Sequence, residues 1–431
     1  MSLSRRTLGL VSLVILLAIV GIWSGEPLAG LWRWPAVFLL LLAVWERLQS
    51  SGQVDIKREI SAHVSLGKKC FYQQSIHNNG KQAVSIDCQA DYPDSLSGDQ
   101  SLQRWSLAPG ETQSRNYSVT PVVLGTAMLG ELYVRVLGKF GLIWWTQNLA
   151  EKARFKVEPA VVSYDHALAG QVRSGARKTR YKPGSGFELL ALRDYQYGDS
   201  QRSIDWKASA RRQKPMVRLF SQEQRLEIAL LVDCGRGSFI QCGLMDRLHH
   251  YVNIASRLTN FVAAHDDQVA CIAYADKIIA SLPMSGGTAA VKQSRQLLSN
   301  LVAMPEESNP LTVALELKRY LKRRSLVIFL TEIEQAEAAT QLIQAVQILH
   351  NKHHILIASI DDPAISNLIK QSTNDWLAPY QNFAALEYIR GRELTRNKLK
   401  QSGISVITSP AEKLDTELLG YYQQIRERRE V

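Results

Sequence analysis

Glu227-Ile228-Ala229-Leu230-Leu231-Val232-Asp233 is a continuous apolar run closed by a carboxylate, too short for a stable helix and with no alternation of polar residues. Such a run is the pattern of a strand buried on both faces. Similar runs follow at 268–273 (QVACIA), 325–330 (SLVIFL) and 354–360 (HILIASI), with a shorter one, ISVI, at 404–407. Amphipathic stretches at 245–264, 288–302, 311–322, 336–350 and 384–400 separate them, and 415–429 reads as a closing helix with a basic end. Strands and helices in alternation, with strands apolar throughout, predict a mostly parallel sheet with helices on both faces.

In such a sheet ligands gather beyond the carboxyl ends of the strands. The loop after the first strand is Asp233-Cys234-Gly235-Arg236-Gly237-Ser238. It is glycine-rich, but it is not GxGxxG, and the chain has no GxxxxGK[ST], so a nucleotide site is not expected. His350, His353 and His354 lie close together without a fourth ligand nearby, the pattern of a solvated loop rather than a zinc site. No nucleophile with a matching base stands out, and an enzyme is not expected.

Upstream, residues 181–224 read YKPGSGFELLALRDYQYGDSQRSIDWKASARRQKPMVRLFSQEQ. Arg193, Asp194, Asp199, Arg202, Asp205, Lys207, Arg211 and Arg212 alternate in sign among Tyr195, Tyr197 and Trp206. Ser200 is placed to cap a short helix running through Arg211, on which Arg202 and Asp205 would share a face. The segment reads as a charge-compensated clamp or, alternatively, a binding surface.

Residues 54–162 carry short alternating runs broken by turn signals such as His77-Asn78-Asn79-Gly80, the pattern of a small antiparallel sandwich. Trp144 and Trp145 fall in its most apolar stretch. At the N-terminus, 7–23 and 28–45 are two apolar runs, separated by Ser24-Gly25-Glu26-Pro27 and flanked by tryptophans. Arg5 and Arg6 precede the first; Arg47, Lys57 and Arg58 follow the second. These runs predict a transmembrane hairpin with both chain ends in the cytosol. The 51 Lys and Arg against 40 Asp and Glu give a net charge of +11, spread along the chain. No aromatic-interleaved basic stripe points to nucleic acid. The five cysteines form no CxxC pair and no regular framework, as in a reducing compartment.

The segment around 186–211 closely resembles the signature of the bacterial "domain of unknown function 58" family. The matching residues are Gly186, Leu192-Arg193, Tyr195, Gly198-Asp199, Arg202, Ile204-Asp205-Trp206 and Ala208-Ser209-Ala210-Arg211. Of these, Arg193, Tyr195, Asp199, Arg202, Asp205, Trp206 and Arg211 are the candidate interaction residues. The resemblance implies a von Willebrand factor A-like α/β fold over 227–431. Before it would come a membrane hairpin (1–50), a β-sandwich domain (54–162) and the signature segment (163–226). It also implies a MoxR-type AAA+ ATPase as partner. The expected protein is then a multi-pass adaptor of the bacterial inner membrane, in contact with lipid and taking no small-molecule substrate. It would serve the assembly or maturation of other proteins.

Von Willebrand factor A domains often hold magnesium on a D-x-S-x-S loop, a Thr and a later Asp. Here Asp233 stands first, Gly235 and Gly237 replace the serines, Thr288 is the candidate for the second loop, and Thr331-Glu332 stands where a Ser/Thr-Asp pair would be expected. Hard oxygen ligands are what magnesium requires, so a magnesium-dependent binding module is the alternative reading, with a hydrolase behind it.

Overall fold

The computed structural model describes residues 2–23, 32–49, 54–138, 140–148, 153–160, 182–184, 188–222, 225–333, 339–370 and 376–428. The chain divides into two compact units: residues 1–160 with 243–249, and residues 161–242 with 250–431.

The first unit is built mainly from antiparallel strands. Val54–Ile60, Cys70–Asn78, Thr112–Pro121 and Leu96–Gly98 form one sheet, in that spatial order. Ser2–Leu3, Ile143–Asn148, Glu131–Leu137, Val84–Asp91 and Gln103–Leu107 form another. Inward residues of both, including Ile56 and Ile76 from the first and Ile86, Trp105 and Val134 from the second, share one core. Period-2 alternation places these residues inside and their polar neighbours outside. A small third sheet joins His63–Ser65, Arg154–Glu158 and Gly125–Met128. Trp145 is buried in this unit, while Arg135 lies over the ring of Trp144.

Two helices, Arg5–Trp23 and Arg33–Gln49, belong to the same unit. Among the described residues no helix is long and apolar enough to cross a membrane, so the expected transmembrane hairpin and the multi-pass inner-membrane location are corrected. The physical reason is length. The uncharged runs within the helices, 7–23 and 34–45, contain 17 and 12 residues. At ~1.5 Å per residue they reach about 26 and 18 Å, against a hydrocarbon layer of ~30 Å. Residues 24–31, with the expected break and the start of the second run, lie outside the described residues. Polar contacts tie both helices to residues 140–142. Ser4 donates from its backbone N–H to Leu142 O at 2.9 Å and from its hydroxyl to Gly141 O at 2.5 Å. Glu46, fully buried, accepts the Phe140 N–H at 2.7 Å, and Trp45 stacks on the Phe140 ring. An apolar cavity of about 340 Å³ opens among Leu10, Leu13, Leu17, Phe38, Leu42 and Phe140.

The second unit holds a six-stranded sheet in the order Ile278–Gly286, Gln268–Tyr274, Glu227–Asp233, Leu326–Leu330, His354–Ile360, Ser405–Ser409. Five strands run parallel, and Ile278–Gly286 is antiparallel to its neighbour at the edge. On one face Leu231, Phe329 and Ile357 pack with Val313 and Leu317 of helix Pro310–Tyr320 and with Val346 and Leu349 of helix Thr340–His350. The alternate residues Leu230, Val232, Ile328 and Leu356 are also fully buried, so the opposite face is covered as well. A separate antiparallel sheet places Met216–Gln222 between Lys182–Gly184 and Glu188–Asp194. The chain as a whole is therefore mixed α/β with several sheets, mostly antiparallel in its N-terminal part. This corrects the expected fold class, a transmembrane hairpin and β-sandwich leading into a von Willebrand factor A-like parallel sheet. The departure arises where tight turns allow hairpin pairing, as at 275–277, in place of a helical crossover.

Candidate functional site

Strand Glu227–Asp233 lies between Gln268–Tyr274 and Leu326–Leu330, where the strand order reverses. In α/β sheets this is the position at which ligands bind. Asp233, the last residue of that strand, is buried. Its Oδ1 accepts the Gly235 N–H at 2.9 Å and the Ser308 hydroxyl, and its Oδ2 accepts the Thr331 hydroxyl at 2.5 Å. Ser238 donates to the Asp233 carbonyl at 2.7 Å.

Backbone bonds hold Ser308 in place. Arg236 N–H reaches Glu306 O at 2.8 Å, Met304 N–H reaches Cys234 O at 2.7 Å, and Asn309 N–H reaches Ala275 O at 2.8 Å. Position 235 must be glycine for this packing, because an added Cβ would run into Ser308 Oγ. The hydroxyl missing from the D-x-S-x-S pattern is thus replaced by one from a loop 75 residues away.

Burial and the negative charge of Asp233 hold the Tyr274 phenol well above its ordinary range. The same two causes push up the Cys234 thiol, and burial pushes Cys271 up to about 12. These thiols are inert as nucleophiles at neutral pH.

Of the other two expected ligands, Thr288 lies elsewhere, while Glu332 directly follows Thr331 at the end of the neighbouring strand. Strand Ile278–Gly286 runs back along the sheet, so Gly286 pairs with Gln268, whereas Asp233 pairs with Tyr274. Thr288 follows Gly286 and therefore lies at the opposite end of the strands from Asp233, about 20 Å away at ~3.3 Å per residue. Glu332 accepts the Tyr388 hydroxyl from helix Ala378–Gln401. Among the described residues no three His, Cys, Asp or Glu side chains cluster as a metal site. What converges is one carboxylate with the hydroxyls of Ser308 and Thr331, a hard-oxygen set that supplies a single negative charge.

The same rim of the sheet carries a cation that the sequence reading missed. Arg392 is buried and donates to Asp361 at 3.0 Å, Ser359 Oγ at 3.2 Å and Ile360 O at 3.3 Å. A local signal did exist for the Ser308 loop. In Ser308-Asn309-Pro310, Asn309 caps helix Pro310–Tyr320 and Pro310 opens it. Of the histidines, His354 bonds to the Tyr421 hydroxyl at 2.6 Å and His353 is buried.

In the signature segment Arg193 grips Asp199 through two parallel bonds of 2.8 and 2.6 Å. That pairing, followed by the Gln196 N–H, holds the Asp199 carboxyl below its ordinary value. Tyr195 is half-buried, and its N–H bonds to Pro215 O. The helix begins later than expected: Gln201–Ser203 is a 3-10 turn, and Asp205, not Ser200, caps helix Trp206–Arg212. Asp205 Oδ1 accepts the N–H groups of Lys207 and Ala208 at 3.0 Å, while Oδ2 pairs with Arg218 at 3.0 Å. The Ala208 N–H and then Arg218 lower its carboxyl. Arg202, expected beside Asp205, instead faces solvent, as do Trp206 and Arg211. Gly186 lies outside the described residues.

Residues 191–375 match the family model "Protein of unknown function DUF58", in agreement with the resemblance of the signature segment. No curated protein matches the sequence. Among solved structures, a FixG-related protein from Vibrio parahaemolyticus aligns at 12% identity and a TM-score of 0.18, over 24% of this chain and 96% of its own. Salmonella alpha-2-macroglobulin aligns at 16% and 0.21, over 26% and 7%. The CARDB domain of PF1109 from Pyrococcus furiosus aligns at 16% and 0.17, over 24% and 94%. At these TM-scores the alignments carry nothing for fold or function.

Proposed function

We propose that this chain is an interaction protein, an adaptor that docks a MoxR-type AAA+ ATPase acting in the assembly or maturation of other proteins. The partner comes from the family resemblance. The observation that supports a docking role is an exposed aromatic group at the start of helix Ala378–Gln401: Trp376, Tyr380 and Phe383 are 76%, 71% and 69% exposed. Tyr380 and Phe383 are three residues apart and share a helix face. Large aromatics left in water are the residue types that anchor protein interfaces. The test is calorimetric titration of a purified MoxR-type ATPase into the full chain, with and without nucleotide. Tyr380→Ala with Phe383→Ala should weaken binding by about tenfold or more while leaving thermal unfolding unchanged. No binding in any nucleotide state would end the ATPase reading.

The convergence of Asp233, Ser308 and Thr331 favours a second reading, a magnesium-dependent binding module. A ligand at a hundred times its Kd stabilises the fold by about 2.7 kcal/mol. Magnesium that raises the melting temperature of the chain, with the rise lost in Asp233→Asn, would select this module over the metal-free adaptor.

A further inference from the structure

Between residues 191 and 219 the chain has seven Lys or Arg and three Asp. Two of the three acids are committed within the segment, and the third, Asp194, is exposed. Asp199 is taken by Arg193, and Asp205 is taken by Arg218 and by the helix N-terminus. Arg202, Lys207, Arg211 and Arg212 are exposed, and among the described residues no carboxylate pairs with them. Beside them Trp206 is 72% exposed and Tyr197 is fully exposed. The scaffold beneath is fixed by backbone and side-chain bonds. Asp205 N–H reaches Met216 O at 2.8 Å, Ser209 Oγ reaches Asp205 O at 2.7 Å, and Met216 N–H reaches Ser209 Oγ at 2.8 Å. The cations thus stand on a fixed turn and helix without pairing to any carboxylate of the described segment.

We propose that this surface docks an acidic segment of a protein partner, with Arg202, Lys207, Arg211 and Arg212 meeting carboxylates and Trp206 and Tyr197 covering the apolar residues between them. Charge complementarity identifies the chemistry. Trp, Tyr and Arg are the residue types that dominate protein-interface energetics, and they make up most of this patch. A nucleic-acid backbone fits less well, because the exposed Asp194 and the framework carboxylates of Asp199 and Asp205 are interleaved with the cations and would repel a continuous run of phosphates. The proposal does not depend on the ATPase reading, whose aromatic group lies on a different element.

The test uses the full chain and three probes: a fluorescein-labelled Glu-rich peptide containing leucines, a single-stranded oligothymidylate, and phosphatidylserine vesicles. The peptide should bind, and its affinity should fall as salt rises from about 50 to about 300 mM. Arg211→Glu with Arg212→Glu should weaken it by at least about tenfold, and the reversed surface should now take a Lys-rich peptide. Trp206→Ala should weaken the acidic peptide without changing its salt slope. Arg211→Gln with Arg212→Gln, which adds no new charge, guards against misfolding and should give an intermediate loss. The proposal is overturned if the peptide fails to bind, if charge reversal leaves its affinity unchanged, or if oligothymidylate or vesicles bind more tightly than the peptide.

Discussion

Asp233 and Ser308 meet because position 235 carries no side chain, and the contact that follows gives the buried carboxylate a hydroxyl donor beside the Thr331 hydroxyl and the Gly235 N–H. Gly235→Ala places a Cβ against Ser308 Oγ, and overpacking of this kind costs about 1–3 kcal/mol. Ser308→Gly in the same chain removes the oxygen and should restore part of that loss in a urea melt. Recovery stays partial because Ser308 N and Glu306 O remain 3.0 and 3.1 Å from the new Cβ. Strictly additive losses would show that the two positions do not compete for space. The sequence made Asp233 visible because a carboxylate ended a buried strand. Thr331 was visible as well, as the first residue of the Thr331-Glu332 pair, and its hydroxyl does reach Asp233. Ser308 was hidden because its hydroxyl arrives from 75 residues away, a distance over which side-chain spacing carries no signal. Thr288 misled for a related reason: nothing in IIASLPMSG announces that the strand runs backwards.

Helix Trp206–Arg212 has only seven residues, and a helix this short depends on its ends. Asp205 supplies the start, and Gln213, with φ of 54°, supplies the left-handed stop. Asp205→Ala should raise amide exchange at Lys207 and Ala208 about tenfold, whereas Asp205→Asn, which keeps an acceptor oxygen, should raise it far less. Equal exchange in both variants would mean that the Arg218 pair, not the cap, holds the helix. Acid acts on the same element. Asp199 and Asp205 have folded values below the ordinary carboxylate range, so their contribution is present above about pH 4 and is lost as pH falls through the lowered values. Amide protection across 188–222, taken relative to the intrinsic exchange rate at each pH, should therefore fall below that pH. The sequence showed the charged residues of this element but placed Arg202 and Asp205 on one helix face. Helical spacing was applied across a stretch that is a 3-10 turn followed by a cap, and the real partner, Arg218, sits on the next strand.

At the scale of the molecule, long apolar strands were legible from composition alone, while helix ends, the backward edge strand and the small sheet around Met216–Gln222 depended on pairings between distant residues. The closing helix Ala411–Arg428 shows how such pairings stabilise the second unit. Leu414, Leu418, Tyr422 and Ile425 form its buried stripe, spaced as one helix face requires. Tyr422 packs edge-on against Phe261, and its hydroxyl donates to the buried Asp267. Asp267 also accepts the Leu226 N–H at 3.0 Å and pairs with Arg426 at 3.2 Å. One carboxylate thereby joins the entry to the central strand Glu227–Asp233 with the last helix, although neither is near the other in sequence. Tyr422→Ala removes a fully buried ring and should cost about 3–5 kcal/mol. Tyr422→Phe keeps the ring and removes one bond to a charged acceptor, so about 1.5–3 kcal/mol is expected. Both losses should appear in the urea transition of the second unit, and amide exchange at 227–233 should accelerate with that at 411–428. A Tyr422→Phe chain as stable as the parent would show that Asp267 is satisfied without the phenol, leaving ring packing alone to hold the helix against the sheet.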